Sequence, residues 1–275
     1  TDTNGCVNTD NVVVTINSLP TASVSSDTTI CVGDTATLVA SGGTTYQWSP
    51  DSTLSNAFIA APSAFPTLSA TYQVIISDPN GCNDTAEVTV TIQNLPTISA
   101  GVDQTICVND TTQLNASGGV TYGWTPANSL SATNIANPFA WPASSSSYVV
   151  TGADAIGCVF SDTVNIFVNP LPVADAGADA WICPGDNIQL GASGGVAYTW
   201  SPSTGLSNPN IADPTTTLTD TVIYSVEVVS ADGCINYDTV TVFVNQTVPT
   251  QAGNDTLICF GDSITLSLIH ISEPT

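Results

Sequence analysis

The stretch Thr71-Tyr72-Gln73-Val74-Ile75-Ile76-Ser77 runs into Asp78-Pro79-Asn80-Gly81, and Glu87-Val88-Thr89-Val90-Thr91-Ile92 follows shortly after. Both flanking runs alternate apolar and polar residues with a period of two, the pattern of a half-buried strand. Pro-Asn-Gly between them is turn chemistry, because proline presets φ while asparagine and glycine accept positive φ. The stretch therefore predicts an antiparallel hairpin. Outward from it, residues 35–40 alternate before Gly42-Gly43, and Tyr46-Gln47-Trp48 is a short aromatic strand ahead of Ser49-Pro50. No segment sustains a 3.6-residue period, so the expected class is all-β.

The same pattern returns at a fixed step. The cysteines are Cys6, Cys31, Cys82, Cys107, Cys158, Cys183, Cys234 and Cys259, spaced alternately by 25 and 51 residues, which makes each of two series repeat every 76. Trp48, Trp124 and Trp200 keep that step, as do Tyr72, Tyr148 and Tyr224, and Asp34, Asp110, Asp186 and Asp262. An internal repeat this regular is the strongest signal in the chain. Joints at Leu19-Pro20, Leu95-Pro96, Leu171-Pro172 and Val248-Pro249 delimit complete units at 19–94, 95–170 and 171–246. Residues 1–18 read as the last hairpin of a preceding unit, and 247–265 as the start of another. A 76-residue β unit has the size of a slightly trimmed immunoglobulin-like sandwich. Tyr72, Tyr148 and Tyr224 each open the penultimate strand, where either a tyrosine corner or an ordinary strand aromatic fits.

Composition narrows the function. Of 275 residues, 42% are apolar, enough for packed cores, and 23 are Asp or Glu with no Lys or Arg at all. Nucleic acids and anionic membrane surfaces need cations on the protein and are excluded as partners. No apolar window approaches the ~18 residues of a membrane span, so no membrane insertion is expected. No signal peptide opens the chain, and Thr1 is expected to be a cut inside a longer protein. The only histidine, His270, lies in residues 266–275, which depart from the repeat and resemble the in-frame translation of a transposase sequencing adapter. Without it there is no His, Lys or Arg to serve as a base, so nucleophilic catalysis and Cys/His zinc sites are not expected. No enzyme activity and no organic cofactor are anticipated.

Eight cysteines argue for an oxidising compartment. Two pairing schemes follow. Cys31 precedes the second strand while Cys82 lies in the last hairpin, and a strand of about ten residues would carry them roughly 30 Å apart, beyond the ~7 Å between Cα atoms that a disulfide allows. That favours pairs between units, Cys31–Cys158 and Cys107–Cys234. The alternative within units (Cys31–Cys82, Cys107–Cys158, Cys183–Cys234) leaves only Cys6 and Cys259 over. Carboxylates flank the same cysteines, so Asp34 with Asp154, and Asp110 with Asp232, are candidate calcium ligands, hard oxygen donors suited to that ion; their other reading is turn chemistry. Trp48, Trp124 and Trp200, each two residues after a tyrosine, read as core tryptophans or as a sugar platform. Trp141 and Trp181 break the repeat and are candidates for exposed contacts.

The third unit contains Ile182-Cys183-Pro184-Gly185-Asp186, then Tyr198-Thr199-Trp200-Ser201-Pro202, then Gly205-Leu206-Ser207-Asn208-Pro209, and ends with Asp232-Gly233-Cys234. This combination resembles the PKD-like and immunoglobulin-like tandem repeats of very large Bacteroidota surface proteins, which include gliding-motility adhesins and type IX secretion cargo. The resemblance covers residues 1–265. It implies export to the cell surface and a non-catalytic role as a stalk. The alternative is an adhesin module that binds glycans or another surface directly. Expected partners are further repeats of the same chain and surface glycans or proteins.

Overall fold

The computed structural model describes residues 1, 3–246, 257–261 and 263. Apart from 257–261 and 263, the expected segments 247–265 and 266–275 lie outside the described residues, as do Asp262 and His270. The described part contains strands, turns and bends, and no helix. It divides into two compact units, one made of residues 1–104, 111–141 and 147–165, the other of 105–110, 142–146 and 166–275. Residues 1–18, expected as a hairpin, form no strand among their described residues. A hairpin without a sandwich to pack against is marginal in water.

In the first unit, the repeat 19–94 carries a four-stranded sheet in the order Thr28–Cys31, Asn83–Gln93, Ala70–Ser77, Thr45–Ser49. The first pair is parallel and the other two are antiparallel. Opposite lie short pairs, Ala36–Thr37 with Ser63–Ala64 and Ser23–Val24 with Ala40–Ser41. The hairpin read from residues 71–92 is present, with Tyr72 facing Val88 and Val74 facing Ala86. Its alternation becomes burial: Tyr72, Val74, Ile76, Val88 and Val90 point into one core with Leu38 and Trp48, while Thr71, Gln73 and Ile75 face out.

The other repeats reuse this plan. The sheet of 95–170 runs Thr121–Thr125, Ser146–Ala153, Val159–Asn169, Gln104–Cys107. In the second unit the sheet of 171–246 runs Ala180–Ile182, Ile235–Val244, Val222–Val229, Ala197–Ser201. Its core again joins a tryptophan and a tyrosine, Trp200 and Tyr224, in edge-to-face contact with centroids 6.5 Å apart. Three strands of the C-F-G type, the first strand added in parallel to the last, and a smaller facing sheet make an immunoglobulin-like sandwich. The chain is a tandem of such sandwiches.

One glycine per repeat lets the joint close on its domain. Gly42, Gly118 and Gly194 have φ of +117°, +90° and +100°, and a Cβ there would sit within 2 Å of the carbonyl oxygens of Thr21, Thr97 and Val173. Those residues follow the joint proline, so the incoming chain lies directly against the Gly-Gly turn. Only glycine combines the left-handed conformation with that approach.

The buried tyrosines do not make tyrosine corners, whose hydroxyl returns to backbone a few residues upstream. Tyr148 and Tyr224 instead donate to the carbonyls of Asn128 and Thr204, 20 residues earlier. Tyr72 shares a hydrogen bond with the Thr53 hydroxyl. The phenol thus ties the sheet to the loop after the tryptophan strand. Burial pushes the Tyr148 hydroxyl above its ordinary pKa.

Candidate functional site

The structure joins Cys31 to Cys158, and Cys107 to Cys234, each with Cα atoms 5.6 Å apart. Both bonds connect successive repeats. The first lies wholly within the first compact unit, the second within the other. The pairing within repeats is not formed, and the sheet register shows why. Cys31 faces Gln93 at the end of the strand Asn83–Gln93, whereas Cys82 immediately precedes Asn83 at its other end. About eleven residues at ~3.3 Å each separate them by roughly 35 Å. Cys82 and Cys183 carry no disulfide. Two disulfides fit an oxidising compartment.

Each disulfide is anchored by turn geometry. One oxygen of Asp154 accepts the backbone N–H groups of Ile156, Gly157 and Cys158, all at 2.9 Å, so this carboxylate shapes the tight turn that presents Cys158. Asp78 does the same for Asn80 and Cys82, and in the third repeat the Ser230 hydroxyl takes over for Cys234. At the opposite cysteines, Asp34 donates its N–H to the Cys31 carbonyl, and Asp110 repeats this with Cys107 while its carboxylate accepts the Cys107 N–H. Asp34 and Asp154 therefore flank one disulfide and Asp110 and Asp232 flank the other. Among the described residues, no three or more His, Cys, Asp or Glu side chains are grouped to hold a metal ion.

A second set of carboxylates fastens the segment that enters each sandwich, ahead of its parallel strand, to the last strand. Asp84 accepts the N–H of Ala22, Asp162 that of Ala100 and Asp238 that of Ala176, at 2.8–2.9 Å and always 62 residues apart. The first of these contacts sits two residues earlier on both strands than the repeat step would place it. The 62-residue offset is the same as in the parallel pairing of Thr28 with Val90, so shifting both partners by two keeps the bond. The N–H of Ala22, then that of Thr85, holds Asp84 below the usual carboxylate range; Ala100 and then Thr163 do so for Asp162. The signal in the sequence was the recurring 62-residue Asp–Ala separation.

The aromatic candidates separate cleanly. Trp48, Trp124 and Trp200 are buried, each donating its indole N–H to a carbonyl 11 residues on: Ile59, Ile135 and Ile211. They are core, not a sugar platform. Trp141 and Trp181 are exposed, at 45% and 63%. Trp181 stacks on Phe243 with centroids 5.0 Å apart and planes 14° from parallel. Tyr237 donates its hydroxyl to Glu227 at 2.9 Å, and that bond, followed by the Glu227 charge, raises the phenol pKa. In the second unit an open cleft of about 520 Å³ is bordered by Val108, Val168, Pro170 and Leu171 with Ser144 and Ser145, none of them an acid or base at neutral pH. No helix among the described residues is long and apolar enough to cross a membrane.

No family model and no curated protein matches the chain. Solved structures similar to it include the complex of Dpr2 Ig1–Ig2 with DIP-Theta Ig1–Ig3, at 13% identity and TM-score 0.34, covering 83% of this chain and 100% of that one. The N-terminal eight Ig domains of Down Syndrome Cell Adhesion Molecule match at 14% identity and TM-score 0.36, covering 82% of this chain and 37% of that one. The I9–I11 tandem of titin matches at 11% and 0.35, covering 82% and 100%. Scores this low carry no function, and the immunoglobulin-like assignment rests on the strand order described above.

Proposed function

We propose that this chain is a non-catalytic, extracellular structural segment, a stalk of immunoglobulin-like repeats built to hold its length under tension at a cell surface. The observation that carries the reading is the overlap of the two disulfides. Along the backbone, Cys31 and Cys234 are 203 residues apart (234 less 31). Through the disulfides the route crosses to Cys158, returns to Cys107 and crosses again to Cys234, only 51 residues (158 less 107). At ~3.5 Å per extended residue, unfolding the sandwiches would let that span reach about 700 Å without the bonds and about 180 Å with them. Two overlapping loops thus cap extension even when domains open. Export by a type IX route in Bacteroidota, as in gliding-motility proteins, is consistent with the repeat motifs and belongs to the same proposal.

The experiment is force–extension of the chain held at its two ends, oxidised and then reduced. The reduced chain should gain about 500 Å more contour length than the oxidised one. Equal gains would remove the load-bearing reading.

A second reading, direct adhesion to a glycan or protein surface, draws on the exposed Trp141 and Trp181. Binding by the whole chain to an array of glycans and proteins, lost when these tryptophans are replaced, would support it.

A further inference from the structure

Four outward positions on the large sheet change character from repeat to repeat while the core does not. In the first repeat they are Thr29, Thr71, Thr85 and Thr91; in the second, Thr105, Ser147, Ser161 and Phe167; in the third, Trp181, Ile223, Tyr237 and Phe243. Each set follows the last by the 76-residue step. In the third repeat the four lie on one face. Trp181 faces Phe243, Ile223 faces Thr241, and Tyr237 faces Glu227, on strands whose alternate residues are buried. Threonine and aromatic residues suit a strand equally well, and the first repeat builds the same sandwich with threonine at all four sites. The fold therefore does not require an apolar face here. Trp181, Ile223 and Tyr237 are each at least 60% exposed; the stacked Trp181–Phe243 pair with Ile223 on the neighbouring strand leaves apolar surface in water, a mark of an interaction surface, and Tyr237 stands further along the same face.

Charge selects the occupant. The chain carries a formal charge of −23 with no Lys or Arg, so a second copy or an anionic polymer is repelled. At each end of the face an aromatic is accompanied by a carboxylate. Asp179, two residues before Trp181 on the same strand face, accepts the N–H of Thr241, and Glu227 accepts the Tyr237 hydroxyl. A π-face beside a carboxylate is the composition that takes a guanidinium or ammonium group, by cation–π attraction together with ion pairing. Phe243 and Tyr237 are six residues apart on one strand, about 20 Å.

We infer that the outward sheet face of the third repeat, built on Trp181, Phe243, Ile223 and Tyr237, is a docking site for a protein segment bearing arginine or lysine at two points about 20 Å apart. This rests on the direct-adhesin reading and specifies its partner. A neutral sugar would use the aromatics but gain nothing from the field of a chain with 23 acids and no Lys or Arg.

The test titrates the whole oxidised chain with three probes at low salt, read by tryptophan fluorescence and calorimetry. One is a heptapeptide with arginine at both ends and serine and threonine between; the second replaces both arginines with glutamate; the third is cellohexaose. The comparison protein is W181T/I223T/Y237T/F243T, which takes the residues of the first repeat and keeps the net charge. The arginine peptide should bind the native chain at least tenfold more tightly than this variant, and the glutamate peptide should not bind. Equal affinity of the arginine peptide for both proteins would show the overall field acting alone and overturn the inference together with adhesion through this face. Tighter binding of cellohexaose, lost in the variant, would overturn the cationic partner while sustaining adhesion. Should the fourfold variant fold poorly, the reciprocal T29W/T71I/I75E/T85Y/T91F in the first repeat, where Ile75 faces Thr85 as Glu227 faces Tyr237, should create a second site for the arginine peptide; unchanged stoichiometry there would count against the inference.

Discussion

The carboxylate of Asp162 accepts the backbone N–H of Ala100 at 2.8 Å, tying the segment that enters the second repeat to its last strand across 62 residues. The bond favours the ionised acid, which is why the folded-state pKa lies below the ordinary 3.8. A depressed pKa contributes stability that is present above the unfolded value and is lost as pH falls through the folded one. Replacing Asp162 by Ala should therefore lower the melting temperature by on the order of a few degrees at pH 7. The gap between native and variant should hold down to about pH 5 and close below pH 4. Thermal melts across pH 2–7 check this, and a gap independent of pH would refute the linkage. In the native chain an opposing trend should be superimposed above pH 4. Protonating some of the 23 acids relieves self-repulsion, so the stability of the native chain is expected to rise as pH falls from 7 toward 5.

A peptide map under non-reducing conditions should return Cys31 linked to Cys158 and Cys107 linked to Cys234. Recovery of a Cys31–Cys82 link would contradict the register in which Cys31 faces Gln93. Each bond closes a loop of 127 residues. The chain-entropy model then assigns Cys31→Ser a loss of about 5 kcal/mol, measured by guanidinium unfolding. The two losses should not add, because the loops share residues 107–158.

Gly194→Ala should destabilise the third repeat by more than the ~1 kcal/mol of an ordinary left-handed position. Its new methyl group would have to displace the Val173 carbonyl, and with it the entry of the chain from the Leu171-Pro172 joint. Gly185→Ala, also at positive φ but with open space around it, should cost only the conformational part. Fluorescence-detected unfolding of both variants compares them. Equal losses would show that the close approach is relieved cheaply.

Calcium added at millimolar concentration after chelation should shift the melting temperature no more than magnesium does. Asp154 already directs one oxygen at three backbone N–H groups, which favours the turn reading of this residue. A calcium-specific increase that disappears in D34N/D154N would instead place the ion beside Cys31–Cys158.

What could be read from the chain alone was whatever depends on near neighbours. The alternation in residues 71–77 and 87–92 sets which side chains face inward, because a strand turns each successive residue to the opposite side, and the 76-residue step announces one sandwich after another. The cysteine arithmetic left two schemes that obey the same spacing, and the length of one strand favoured the pairs between repeats. Tertiary structure decided between them: Cys31 lies beside Gln93 only once the first strand has joined the last in parallel, and that register puts Cys82 a full strand length away. The same long-range pairing brings Asp162 to Ala100, sends the Tyr148 hydroxyl to Asn128 and sets Trp181 against Phe243. These contacts join residues 20 to 62 positions apart, and a local pattern carries no information about which distant partner a folded sheet will bring alongside.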